Sequence, residues 1–428
     1  MAKVFLSFLG TNKYVNCNFL FNSQKIKNVK FVQEALIRLV AKDFKKEDKV
    51  IIFLTKDART KNWEDSDINE NRGLSERLND LSLEMKILDI GIPDGNSEKQ
   101  IWKIFEIIFK QISENDEIIF DITHGFRSLP MLCMVLLNYS RFLKNTRIKG
   151  IFYGAFEVLG PVNKVKEMHI KDRNAPIFDL TSFDNLQQWS VAADNFVNYG
   201  NSEKIKKLIN KEINPILKVT KGQNEAAKNI NELANYLHKF TLQIQTVRGD
   251  MLVKGVAVKN IKKIIKNIKE NEIEYKAFSP IIHEIEKKIE RFLTDDIKNG
   301  FRAVEWCLNH NLIQQGITML QETIITYILD EIDLEPNKLN RELVSCAIYI
   351  KNRKINEDEW NEKCQKNLRT TKSILKYKEF NDLSKIYDEL REHRNDINHG
   401  GYLSVLKGDA FQRKIESAYK KLKEIIKI

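Results

Sequence analysis

Cysteine, proline and glycine are all scarce in this sequence, and no apolar run approaches the length needed to cross a bilayer. The five cysteines, Cys17, Cys133, Cys307, Cys346 and Cys364, are odd in number and far apart. They form no CxxC pair and no disulfide-style spacing, which excludes a disulfide scaffold and predicts reduced thiols in a cytoplasm. With 7 prolines and 17 glycines in 428 residues, no segment is biased enough to be disordered, and the chain should be globular and rich in regular structure. The opening MAKVFLSFLGTNK has too short an apolar run before Asn12 and Lys13 for a signal peptide, so a soluble, cytoplasmic protein with no membrane partner is expected. There is no GxGxxG to hold a dinucleotide. There is also no HExxH and no clustered carboxylate set, so neither a catalytic metal nor a cofactor is expected.

What is abundant is positive charge. Lys and Arg number 70 against 59 Asp and Glu, a net charge of +11 with a pI near 9.1. Residues 201–290 carry 18 basic and 11 acidic residues, so +7 of that excess sits in one segment. A polyanion such as RNA is one reading of that segment; a lysine-rich composition with no special partner is the other.

Length points to two or three domains. The first part alternates short β-branched or apolar runs (4–10, 49–55, 85–92, 117–123 and 147–156) with helical spacing over 31–40, 72–81, 101–112 and 129–143. That order predicts an α/β domain, a doubly wound parallel sheet. After about Phe183 the strand signal ends and amphipathic helical patterns take over, basic to about residue 290 and more apolar beyond it. The expected organisation is 1–183 α/β, 184–290 a basic helical connecting region, and 291–428 a C-terminal all-α domain.

The stretch FDITHGFRSLPML, residues 120–132, ends a strand in a polar loop. In an open parallel sheet, ligands bind outside the carboxyl ends of the strands, where helix N-termini attract anions. Gly125 lets backbone approach a ligand, Arg127 pairs with a phosphate or stacks on a base, and Thr123 and Ser128 offer hydroxyl donors. The first strand ends in Gly10, Thr11 and Asn12 and the second in Thr55, Lys56 and Asp57, so polar groups gather at one edge. A plain strand-to-helix turn, with Ser128 as cap and Pro130 in the first turn, accounts for Ser128 and Pro130 but leaves His124 and Arg127 without a role.

LREHRNDINHGG, residues 390–401, places Arg394 and His399 five positions apart at a helix that Gly400 and Gly401 should stop. An imidazole can take a proton from a ribose 2′-OH or protonate a leaving 5′ oxygen, while a guanidinium stabilises charge on the phosphoryl oxygens. The competing reading is a surface helix end at which His399 complements the dipole. His169, His238 and His283 stand singly as surface or cap residues. For His310, a place near the site and a structural role both remain open.

The DITHGFRSLP motif, with GTN after the first strand, resembles the CARF sensor domain of CRISPR-associated proteins from type III systems, over about residues 1–183. Arg394-Asn395 followed by His399 resembles the HEPN ribonuclease motif, and WCLNHNLIQQGITMLQE (306–322) is similar to the corresponding helix pair of CARF-HEPN ribonucleases. The resemblance implies a Rossmann-like sensor that binds cyclic oligoadenylate across a two-fold axis. Its ligand contacts would be Gly10, Thr11, Asn12, Thr55, Lys56, Thr123, His124, Gly125, Phe126, Arg127 and Ser128. It further implies a homodimer, or a higher oligomer, in which Arg394, Asn395 and His399 cleave single-stranded RNA without metal, leaving 2′,3′-cyclic phosphate ends. The alternative is a non-catalytic, CARF-controlled nucleic-acid-binding regulator. Degradation of the activator at the CARF edge is a third option, for which Thr11 and His124 supply suitable groups.

Overall fold

A computed structural model describes residues 2–64, 72–81, 83–125, 128–270, 279–402 and 407–426. The chain divides into two compact units, Met1–Asn185 and Leu186–Ile428.

The first unit is built on one eight-stranded sheet. Its strands are β1 (Lys3–Leu9), β2 (Cys17–Phe21), β3 (Gln24–Val29), β4 (Lys49–Leu54), β5 (Lys86–Gly91), β6 (Glu117–Asp121), β7 (Arg147–Gly154) and β8 (Asn174–Asp179). The order is β3-β2-β8-β7-β6-β1-β4-β5. Strands β5, β4, β1, β6 and β7 run parallel, and β8 turns antiparallel to β7. The apolar runs read from the sequence form this parallel centre.

Three strands escape that pattern. β2 and β3 form an antiparallel hairpin inside the long connection after β1, and β8 is the short, proline-containing stretch NAPIFD. All three sit toward one edge of the sheet, where burial is partial and β3 alternates little.

Both faces of the central strands are covered, which is why they read as continuous apolar runs. Successive side chains point to opposite faces. Phe5, Leu9, Val50, Ile52 and Leu54 pack with helix Val32–Val40 and with Leu74 and Leu78. Val4, Leu6, Phe8, Ile51 and Phe53 pack with helices Glu98–Gln111 and Leu129–Lys144. Phe8 contacts both Phe53 and Phe120, with ring centroids 5.2 and 5.9 Å away, tying β1 to its two neighbours.

The second unit is helical; among the described residues no strand follows Asp179. A single apolar core runs from Ala192 to Ile426, and residues on either side of position 290 belong to it. Helix Ile313–Glu331 lies against Lys298–Asn309, Lys338–Arg353 and Phe380–Asn398. Among the described residues no helix is long and apolar enough to cross a membrane.

Candidate functional site

The strand order reverses between β1 and β6: the chain passes from β1 to β4 and β5 on one side, then returns to β6 and β7 on the other. The carboxyl ends of β1 and β6 therefore flank the crevice where an open α/β sheet takes its ligand. Gly10 and the Asp121–Gly125 segment occupy those ends.

Asp121 organises the loop after β6. Its side chain is fully buried and accepts from Ser7 Oγ at 2.7 Å, from the Thr123 amide at 2.9 Å and from Thr123 Oγ1 at 2.5 Å. Burial pushes the Asp121 carboxyl above its ordinary value, against the lowering effect of these donors. Thr123 Oγ1 in turn accepts from the Gly154 amide at 2.8 Å, stitching β6 to β7. The Thr123 hydroxyl is thus committed internally, which corrects its reading as a donor to ligand; it positions the loop.

His124 stands over the end of β1. Its ring meets Tyr14 edge-on with centroids 4.8 Å apart, and a Cβ on Gly10 would lie 3.7 Å from His124 Cβ. The Gly10 amide donates to the Tyr14 hydroxyl at 2.9 Å. The half-buried His124 imidazole is lowered by burial to about 4, so it is neutral at neutral pH. Gly125 has a φ of +141°, a backbone conformation that favours glycine, and Leu129 Cδ1 lies 2.2 Å from where a Cβ would stand. Asn62 holds the opposite rim, donating to the carbonyls of Gly10 at 2.8 Å and Asn12 at 3.0 Å.

The remaining residues expected at this edge separate into groups. Thr11 and Asn12 are exposed on the bend after β1. Thr55 is buried and caps the short helix that follows β4, accepting from the Ala58 amide at 3.2 Å, while Lys56 is exposed. Ser128 precedes helix Leu129–Lys144 but makes no side-chain cap, correcting the capping reading; its carbonyl accepts from the Leu132 amide at 3.0 Å. Phe126 and Arg127 lie outside the described residues. Sequence reading missed Ser7, Tyr14 and Asn62 as loop-holding groups. A serine inside the otherwise apolar VFLSFL was a signal for the first, and nothing marked the other two.

In the second unit, Arg394 lies on helix Phe380–Asn398 and is half-buried. Its guanidinium donates to Oε1 of the fully buried Gln321 at 3.3 Å, and Gln321 donates onward to the Tyr387 carbonyl at 2.9 Å. Asn395 is exposed, and exposed His399 caps the same helix, with Gly400 and Gly401 at positive φ turning the chain away. The guanidinium is therefore tied to a buried amide, while the imidazole stands at the exposed helix end. His310 resolves as structural: it is buried, with Nδ1 2.6 Å from the Trp306 carbonyl and Nε2 3.1 Å from that of Val197.

The chain is a Rossmann-like α/β unit followed by a helical unit. The family model for the CARF domain of the CRISPR system endoribonuclease Csx1 matches residues 4–157, and that for the second domain of CRISPR-associated protein MJ1674 matches residues 185–299. The CRISPR-associated protein MJ1674 of Methanocaldococcus jannaschii is 26% identical over 330 residues, 76% of this chain. That match spans 43% of the relative's length. The solved structure of Enterococcus italicus Csm6 bound to cyclic hexa-2′-fluoro-hexa-dAMP aligns with 99% of this chain and 92% of its own at 13% identity and a TM-score of 0.43. Residues 4–157 thus carry a CARF domain, and residues 185–299 are similar to the second domain of a CRISPR-associated protein.

Proposed function

We propose that this protein is a cyclic-oligoadenylate-activated, metal-independent endoribonuclease of type III CRISPR defence, working as a homodimer. The observation that carries the proposal is the cluster at the β1/β6 reversal: Gly10, His124 and Gly125 converge there, in a unit that matches the CARF domain of an endoribonuclease. Neutral His124 and the exposed Thr11 and Asn12 offer hydrogen bonds to bases and ribose, and the exposed glycine backbone at Gly125 carries no side chain to hold a phosphate off. Arg127, in the same motif, supplies the charge for that phosphate.

Dimerisation through the first unit is supported by the helix that follows the loop. Met131, Val135, Phe142 and Leu143 of helix Leu129–Lys144 are exposed, Phe142 at 85%, together with Trp102 at 60% on helix Glu98–Gln111. Apolar surface of that kind is covered in a working assembly, and a second copy would bring two ligand loops together.

On the second unit, Arg394 would hold the scissile phosphate and His399 would move the proton, with the pair from each subunit completing one centre. Activation requires that the ligand bind the cleaving arrangement more tightly than the resting one. The test is RNA cleavage by the purified chain with and without cyclic oligoadenylates. Ligand-dependent cleavage supports the proposal. Ligand binding and RNA binding with no cleavage would make the chain a CARF-controlled RNA-binding regulator.

A further inference from the structure

A polar groove of about 560 Å³ lies in the second unit, lined by helices Glu225–Gln245 and Val256–Glu270 and by Lys206. Helical spacing builds its walls. Glu232, Asn235, Tyr236 and Lys239 fall at i, i+3, i+4 and i+7 on one helix; Asn260, Lys263 and Asn267 fall at i, i+3 and i+7 on the other. Leu233, Leu237, Ile261 and Ile265 of the same helices belong to the core beneath, and buried Ile264 reaches the groove floor.

The charges in the groove are unbalanced. Outer lysines nearby are paired: Lys228 with Glu225 at 3.7 Å, Lys266 with Glu270 at 3.6 Å and Lys269 with Glu286 at 2.5 Å. Among the described residues no carboxylate pairs with Lys206, Lys239 or Lys263, and Glu232 is the one acidic side chain lining the groove. The Lys239 ammonium instead lies over the Tyr236 ring, 4.8 Å from its centroid.

Lys206, Lys239 and Lys263 lie on three different helices, Glu203–Leu208, Glu225–Gln245 and Val256–Glu270, so the three ammonium groups reach the groove from separate walls. Separated cations suit successive phosphates, and a tyrosine face suits a stacked base. We propose that this groove binds a single-stranded RNA segment, with phosphates on Lys206, Lys239 and Lys263 and a base against Tyr236. This deepens the reading that the chain acts on RNA, but its test does not require cleavage.

The experiment uses the full chain carrying His399→Ala, so that RNA stays intact, and measures anisotropy of a labelled unstructured RNA across a salt series. The triple variant Lys206→Ala, Lys239→Ala, Lys263→Ala should bind at least about tenfold more weakly and lose about 0.7 from the log–log salt slope for each phosphate contact removed. A triple Lys→Arg variant at the same positions should retain the slope. Lys254→Ala, Lys266→Ala, Lys287→Ala, an equal change of charge elsewhere, should lose little. Tyr236→Leu should weaken binding with the slope unchanged. Equal losses in both alanine triples, or no RNA binding by the parent, would overturn the proposal. So would displacement of RNA by polyglutamate at matched charge, which would mark an acidic-protein face. Groove-dependent binding in the His399→Ala chain, with no ligand-dependent cleavage by the chain that keeps His399, would leave the groove standing and remove the nuclease; cleavage by the chain that keeps His399, with unaltered binding in the groove triple, would do the reverse.

Discussion

Ser7 on β1 donates to Oδ2 of Asp121 on β6 at 2.7 Å, with both side chains fully buried at the point where the strand order reverses. Ser7→Ala would leave that oxygen without its donor, at a cost of about 1–3 kcal/mol. Urea denaturation should show a lower midpoint with an unchanged slope.

Asp121→Asn tests the titration of the same site. An asparagine can accept both Thr123 bonds through Oδ1 and donate to Ser7, so the fold should persist. Because burial raises the Asp121 carboxyl in the folded state, its neutral form contributes stability that is full below the unfolded value of about 3.9 and is lost as pH rises through the folded value. The wild type should therefore lose stability relative to the asparagine variant as pH rises from about 4. Parallel stability curves across that range would show that the carboxylate is not held up by burial.

His124 has the opposite sense. Its folded value near 4 lies below the unfolded value of about 6.5, so the unfolded chain binds the extra proton first. Its contribution to stability is complete above about pH 6.5 and is lost as pH falls toward 4. At neutral pH the ring is uncharged, and calorimetric affinity for cyclic oligoadenylate should be flat from about pH 6.5 to 8. An affinity midpoint inside that window, absent in His124→Asn, would mean that the ligand binds the imidazolium.

How far the sequence revealed this site depends on what each residue's neighbours were. The parallel centre was legible because β1, β4 and β6 are buried on both faces and carry apolar runs, interrupted inside only by Ser7. β3 and β8, partly exposed at one side, carry QKIKNV and NAPIFD, and no periodicity separates those from loop. The DITHG loop was legible as polar residues after a buried strand, yet the division of labour inside it was not. Thr123 looks like a ligand donor until its partners Asp121 and Gly154 are known, and both contacts depend on register between strands. Tyr14 reaches Gly10 from within a long connection, and Asn62 comes from 50 residues away or more. Gln321 could be read as one more amide in a helix; only tertiary packing makes it the anchor of Arg394.

That anchor separates the two residues proposed for catalysis. His399 is exposed, so His399→Ala should abolish cleavage while changing stability by no more than about 0.5 kcal/mol. Arg394→Ala should abolish cleavage and also cost about 1–3 kcal/mol, because it leaves the amide oxygen of buried Gln321 unpaired. Thermal melts run beside RNA cleavage assays distinguish the two. Equal stability losses would mean that the Arg394–Gln321 bond does not hold in solution.

The proposed chemistry fixes the ends of the products. An imidazole and a guanidinium do not lower the pKa of water as a bound zinc ion does, but His399 can deprotonate a ribose 2′-OH that is already placed beside its own phosphodiester. The 2′ oxygen then forms the new bond to phosphorus as the 5′ oxygen leaves, taking a proton. Fragments should carry 2′,3′-cyclic phosphate and 5′-hydroxyl ends, and EDTA should leave the rate unchanged. A single deoxyribose at a mapped cut site should stop cleavage there while binding persists through phosphate contacts. Mass spectrometry of the ends from activated enzyme reads all of this. Cleavage at the deoxyribose, 5′-phosphate ends, or activity lost to EDTA and restored by a divalent metal would make water the nucleophile and remove Arg394 and His399 from these roles.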